Sequence, residues 1–267
     1  MEHSSHLCSP SRPSCPVSIG GGEDRFSKFL TMIQWSRFQE LVILTGAGIS
    51  VASGLGTYRG KGGLWEGSGV AEEATIECME QDPWRCWLFF RPLLEQVVSA
   101  KPNPAHFALA ELEKKFPGEF LLITQNVDGL HRAAGSTKVA EIHGNLTRRR
   151  CSSPRCSLEP YEDRTFPEEL PLCPVCGAPV RPDIVLFGEQ LPIDESHLAK
   201  KALRTVDLFI GVGTSGTVQP AASYVSWAKY AGAITVEINP EKSGVFCRND
   251  PRPAEVALPE LVASLSV

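Results

Sequence analysis

Four times along the chain a short apolar run rich in β-forming residues gives way to small or polar residues: 41–45, 120–124, 206–212 and 233–238. Runs this short and this continuously apolar read as strands buried on both faces, the pattern of a parallel sheet. Between them lie segments with helical spacing, such as Ala105, Leu109, Leu112 and Phe116. Further helices are expected from Asp194, whose carboxylate suits the unpaired amides of a first turn, and over 219–230. Strand and helix in alternation predict an α/β fold, a parallel sheet with helices on both faces.

Two stretches break the alternation. Residues 60–102 are dense in bulky aromatics (Trp65, Trp84, Trp87, Phe89 and Phe90), and residues 148–183 are rich in proline and cysteine. Both read as insertions that leave the sheet and return, giving a small second lobe with a cleft between lobes. At 267 residues the chain is long enough for one large domain plus such an insert. The first 27 residues, rich in Ser, Pro, His and Gly and without an apolar core, read as a disordered tail and not a signal peptide. No apolar run approaches the roughly 20 residues that cross a bilayer. The net charge of −5 argues against non-specific nucleic-acid binding, which draws on Lys and Arg neutralising phosphate. The run Arg148, Arg149, Arg150 is the local exception and is expected to be a solvated face.

The nine cysteines are an odd number, and four fall in one cluster: Cys151-x4-Cys156, sixteen residues, then Cys173-x2-Cys176. Two close pairs joined by a loop supply the tetrahedral sulfur cage that Zn2+ prefers, which suits a reducing, cytoplasmic setting better than a disulfide framework. A closed four-sulfur site leaves no open position, so the expected zinc is structural.

Thr45-Gly46-Ala47-Gly48-Ile49-Ser50 follows the first strand directly. Glycines there let the backbone turn sharply and approach a ligand, and amides at the following helix start bind phosphate. The third glycine of a dinucleotide fingerprint is absent, Val51 standing in its place, so spacing alone leaves a plain turn equally open. Thr124-Gln125-Asn126-Val127-Asp128 ends the second strand, where ligands bind in parallel sheets; caps and turns explain the same residues. Glu141-Ile142-His143-Gly144 places an imidazole at the junction of sheet and insert, suited to proton exchange near neutral pH. His106, His131 and His197 read as structural, with His131 near enough to Asp128 to keep in view. Gly213, Thr214 and Ser215 after the third strand, and Asn239 after the fourth, extend one prospective nucleotide site along the sheet edge.

In order and spacing these pieces resemble the sirtuin family of NAD-dependent protein deacylases, bacterial in type. The matching segments are 46–50, 54–59, 124–128, 142–144, the two cysteine pairs, 187–189, 213–215 and Asn239, spanning about residues 33–261. The resemblance implies a Rossmann-like NAD-binding domain from 28–62, 103–147 and 184–267, with a helical module at 63–102 and a zinc module at 148–183. It implies that Gly46, Ala47, Gly48, Gly213, Thr214, Ser215 and Asn239 hold the phosphates and adenosine half, with Tyr58 and Arg59 in a loop closing over the cofactor. Gln125, Asn126 and Asp128 match positions around the nicotinamide and its ribose, and His143 matches the catalytic base. Residues 185–189 look like the edge to which an acylated-lysine peptide adds as a strand.

The implied reaction begins with attack of the acyl-lysine carbonyl oxygen on the anomeric carbon of the nicotinamide ribose, expelling nicotinamide. His143 then takes a proton through the ribose hydroxyls, and the products are free lysine and O-acyl-ADP-ribose. Two departures bear on the cofactor loop: Gly56 replaces a usual proline, and Tyr58 a common phenylalanine. A third bears on the acyl group. Some motifs look most like the branch that removes succinyl groups, but its Tyr-x-x-Arg pair is replaced by Phe90 and Leu93, with Arg91 the nearest cation. An apolar pocket rejects a carboxylate, so acetyl or a longer apolar acyl is expected. Mono-ADP-ribosyl transfer and a non-catalytic NAD sensor are the alternatives; the intact Asn126, Asp128 and His143 set counts against the sensor.

Overall fold

The computed structural model describes residues 35–57, 72–216 and 218–266. The first tail, Tyr58, Arg59 and the start of the aromatic-rich stretch with Trp65 therefore lie outside the described residues.

The large domain is a six-stranded sheet whose paired neighbours all run parallel. In chain order its strands are β1 (Glu40–Thr45), β2 (Glu119–Thr124), β3 (Val139–Glu141), β7 (Leu208–Val212), β8 (Ile234–Ile238) and β9 (Arg248–Asp250). They lie side by side as β3-β2-β1-β7-β8-β9. The order reverses between β1 and β7, the switch point at which such sheets open a crevice beyond their strand ends. Because successive side chains alternate, Leu41 and Ile43 of β1 enter one hydrophobic layer, whereas Val42 and Leu44 enter the other. Helix α3 (Pro104–Lys115) and helix α7 (Ala254–Ala263) cover the first layer; α5 (Ile193–Ala202) and α6 (Ala221–Tyr230) cover the second.

The first part of the small lobe carries α1 (Ile76–Gln81) and α2 (Pro83–Ser99). Asp82 caps α2 by accepting from the Arg85 amide at 3.0 Å, and Pro83 occupies the first helical position, where no amide is missed. The second part is an antiparallel sheet of order β5-β4-β6, formed by β4 (Gly144–Cys151), β5 (Tyr161–Glu162) and β6 (Val180–Ile184). Trp87 of α2 donates its indole N–H to the Val180 carbonyl at 2.9 Å and stacks under the Arg149 guanidinium, 5.3 Å from the ring centre, which clamps helix to sheet. A separate apolar core joins Met79, Phe90 and Leu94 to Leu146, Ile184 and Leu186.

The four expected strands are present, each within two residues of its expected start. Helix α5 begins at Ile193, with Asp194 and Glu195 in its first turn but no side-chain cap, and α6 begins at Ala221. Of the strands beyond the four expected, β3, β5 and β9 are two or three residues long and too short to show a period, whereas β4 and β6 carry arginine, proline and aspartate in place of an apolar run. The triple-arginine run requires a correction. It lies inside β4, Arg149 is 6% exposed, and all three guanidiniums are ion-paired, so it is not a solvated face.

Candidate active site

The turns that follow β1 and β7 interlock at the switch point. The Gly46 amide donates to the Val212 carbonyl (3.0 Å), Gly48 N–H to the Gly213 carbonyl (2.9 Å), and Gly213 N–H to the Ile238 carbonyl (3.0 Å). A Cβ at Gly48 would sit 2.6 Å from the Gly213 Cα, and one at Gly213 would sit 2.5 Å from the Ile49 amide. Gly213 also has φ of +57°, a backbone conformation unfavourable to other residues. The glycines are thus demanded by the approach of one turn to the other, a requirement that spacing alone did not reveal. Beyond Gly46 a 3-10 helix (Ala47–Ser53) starts with no side-chain cap, leaving its entrance open toward the crevice.

A cleft of about 1680 Å³ opens there between the two lobes. It is lined by Gly46, Ala47, Gly48, Gln125, Asn126 and His143, and further along the sheet edge by Gly213, Thr214, Ser215 and Asn239. Asp128 lines a small adjoining pocket, shared with Ala47 and Asn126. The described residues singled out from sequence as nucleotide-binding or catalytic therefore converge on one crevice, except Asp128, which lies in the pocket beside it. Tyr58 and Arg59 fall outside the described residues.

His143 sits at the edge of β3, and its Nδ1 lies 2.9 Å from the Gln125 carbonyl oxygen. A carbonyl only accepts, so Nδ1 carries the proton and the lone pair of the neutral ring is on Nε2. Burial pushes this imidazole below the ordinary histidine value, although the Gln125 hydrogen bond opposes that shift. The result is a neutral imidazole on the wall of the cleft.

Behind the wall lies a buried polar cluster. Ser50 donates to an Asp128 oxygen at 2.7 Å, and the other Asp128 oxygen accepts the Leu130 amide at 2.9 Å. Asn126 donates through Nδ2 to the Gly46 carbonyl (3.1 Å) and to Ser50 Oγ (3.2 Å). Its Oδ1 is buried with no partner among the described residues, so one acceptor beside the cleft awaits a donor such as a ligand amide or hydroxyl. Burial raises the Asp128 carboxyl above its usual range, against the pull of its hydrogen bonds from Leu130 and Ser50. Gln125 links the two halves of the site, donating to Thr214 Oγ1 at 3.0 Å, while Asn239 donates to the Thr214 and Glu241 carbonyls at 3.4 and 2.8 Å.

Ser50, Thr45, His106 and His131 complete the cluster, and sequence gave them no role in the site. Asn103 N–H donates to His106 Nδ1, which leaves His106 Nε2–H facing Ser50 Oγ at 3.5 Å. His131 Nε2 meets Thr45 Oγ1 at 2.9 Å, and that hydroxyl donates onward to Thr124 Oγ1. Asn103 caps α3 and also grips the Ile49 carbonyl and Ser53, so one residue starts a helix and anchors the glycine turn. The Asn103-x-x-His106 spacing is the reciprocal cap signature from which this was legible.

Between the lobes, Val185 N–H donates to the His143 carbonyl at 2.9 Å, and Phe187 is bridged on its far side by Ala74 and Ile76. The Val185 carbonyl and the Gly188 amide carry no hydrogen bond among the described residues, and both residues line the cleft. Phe90 and Leu93 line it too. Arg91 does not: it pairs with Glu95 at 2.9 Å and lies over the Phe166 ring at 4.6 Å.

The sulfurs of Cys151, Cys156, Cys173 and Cys176 all lie within 4.8 Å of one another, with closest pairs at 3.4 and 3.5 Å. A tetrahedral zinc with bonds of about 2.3 Å sets its sulfurs about 3.8 Å apart, so the cage fits the ion. The Ser153 and Leu158 amides donate to Cys151 and Cys156 Sγ, as befits thiolates. None of the four lines the cleft.

The Sir2 family model matches residues 46–220. A protein of Pyrococcus furiosus named NAD-dependent protein deacylase is 47% identical over 210 residues, covering 76% of this chain and 83% of that one. Among solved structures, a Sir2 homolog–NAD complex superposes with a TM-score of 0.79 at 37% identity, covering 91% of this chain and 93% of its own. A Sir2 bound to acetylated peptide gives 0.73 at 30% identity, with 86% and 94% covered.

Proposed function

This chain belongs to the Sir2 family and is an NAD-dependent protein deacylase, and we propose that it removes acetyl groups from lysine side chains with His143 as general base. The observation that carries the residue assignment is the shared wall: the neutral His143 imidazole and the Gly46–Gly48 turn line one cleft, with the cysteine cage outside it. NAD supplies an activated ribose carbon whose leaving group is nicotinamide.

The interlocked turns at Gly48 and Gly213 set small residues without side-chain bulk against the phosphates, with Thr214, Ser215 and Asn239 toward the adenosine half. Asn126 and Asp128 orient the nicotinamide end, the first through its unpartnered Oδ1, the second through a carboxyl held by Ser50. His143 Nε2 accepts a proton from a ribose hydroxyl, since Gln125 keeps the other nitrogen protonated. The acylated peptide lies along residues 185–189, where the Val185 carbonyl and Gly188 amide offer one acceptor and one donor. Of the two segments assigned to the small lobe, the helical module supplies Ala74, Phe90 and Leu93 to the cleft wall, and the zinc module supports that lobe from outside the cleft. The cytoplasm is the setting such thiolate chemistry favours.

Acetyl preference rests on Phe90 and Leu93 in the wall and on Arg91, which is engaged with Glu95 and Phe166 away from it. A succinyl carboxylate beside Phe90 and Leu93 would be stripped of water, and Arg91, the cation nearest them in sequence, is turned to Glu95 and Phe166. A panel of acetyl-, succinyl-, butyryl- and myristoyl-lysine peptides, read by nicotinamide release, tests this. Acetyl is expected to exceed succinyl by about a hundred-fold or more in kcat/KM; faster turnover of succinyl contradicts the pocket assignment. ADP-ribose covalently attached to protein, without O-acetyl-ADP-ribose, would instead mark an ADP-ribosyltransferase.

A further inference from the structure

Glu189 closes the segment proposed to receive the peptide. Its Oε2 accepts the Leu186 amide at 2.8 Å, and its own amide donates to the Leu186 carbonyl at 3.0 Å, so the turn is tied from backbone and side chain together. Arg181 meets the same carboxylate through both terminal nitrogens, Nη1 to Oε1 at 2.6 Å and Nη2 to Oε2 at 2.9 Å, and Nη2 also donates to the Ile184 carbonyl at 2.8 Å. One guanidinium thus holds the start of the segment and its end. The Arg181 side chain is 3% exposed and that of Glu189 16%.

The pair is the end of a longer chain of charges. Arg150 reaches Glu189 at 3.2 Å and Asp183 at 3.6 Å; Arg148 joins Asp183 and Glu141, each at 2.9 Å. Glu141 is 2% exposed, accepts from Asn145 and Arg132, and stands two residues before His143. Alternating side chains of β4 point Arg148 and Arg150 to one face, where they straddle Asp183 of β6. So dry a pair adds little net stability over an apolar one, but its fork geometry admits only one backbone arrangement.

We propose that Arg181 and Glu189 are positioning residues for the acyl-peptide, holding residues 185–188 in the one backbone arrangement against which the substrate pairs. This rests on the reading of those residues as the peptide edge. Glu189→Gln keeps an acceptor for the Leu186 amide and removes the charge that Arg181 clasps. The expected result is a KM for acetyl-peptide raised about ten-fold, with kcat and the KM for NAD within about two-fold of the parent. Arg181→Lys keeps the charge and loses the fork; a smaller defect, again confined to the peptide KM, is expected. The double variant is expected to be no worse than Glu189→Gln alone. An unchanged peptide KM, or a matching loss in both KM values and kcat with a lowered melting temperature, overturns the proposal. A substrate N-methylated at the backbone amides flanking the acyl-lysine separates the two layers. If it binds as well as its parent, the edge reading fails and the proposal with it. If it binds worse while both variants behave as the parent, the ion-pair inference alone is wrong.

Discussion

His106 and His131 show how a residue outside a reaction can still govern the pH at which the fold persists. Both rings are fully enclosed, 4.9 Å apart, against the hydroxyls that hold Asp128 and Thr124. Burial pushes His106 down to about 4 and, with His106 beside it, His131 well below its ordinary value. In the unfolded chain each has the ordinary value of about 6.5, so between the two values protons bind the unfolded state alone. Stability is therefore complete above about pH 6.5 and declines as pH falls toward 4, by at most about 1.4 kcal/mol per pH unit for each ring. Urea midpoints measured from about pH 7 to 5 should fall accordingly, and less steeply in His106→Asn; a flat series contradicts the assignment of neutral rings. His106 and His131, read from sequence as structural, are buried and hydrogen-bonded, whereas His197, read the same way, is exposed and lines the cleft. What spacing could not show is that His106 supports Ser50 and His131 supports Thr45, because these residues meet only once β1 and β2 pair.

At the scale of elements, the zinc cage and the helix α2 stabilise each other's placement. The cage ends β4 and precedes β6, Val180 of β6 receives the Trp87 indole, and Arg149 of β4 covers that ring. Zinc should be present at one per chain, and stripping it should lower the melting temperature by on the order of 10 °C and abolish deacylation together. Cys176→Ser, which alters the most exposed ligand, should do the same. Full activity in zinc-free protein would contradict a structural role that reaches the cleft. The cage was legible because ligand spacing is local, and the major strands because an apolar run needs no partner to be seen. The register of β4 on β6, with its irregularity between Asn145 and Arg149, was not. It depends on pairing across some forty residues, and without it the arginine run looks like surface.

For the molecule as a whole, strand order decides where chemistry occurs. Reversal between β1 and β7 brings Gly46, Gly48 and Gly213 together at one end of the sheet, and the turn after β3 sets His143 on the same cleft. Sequence already joined these residues into one prospective nucleotide site; the fold supplies their distances and shows Asp128 withdrawn into the adjoining pocket. No helix among the described residues is long and apolar enough to cross a membrane. The most direct measurement of the account is deacylation of acetyl-peptide by His143→Ala beside the parent, with NAD binding followed in parallel. Removal of the imidazole should cut turnover by about 10²–10⁴-fold while the affinity for NAD stays within a few-fold. Turnover within ten-fold of the parent would contradict it, because the base would then have to be another group.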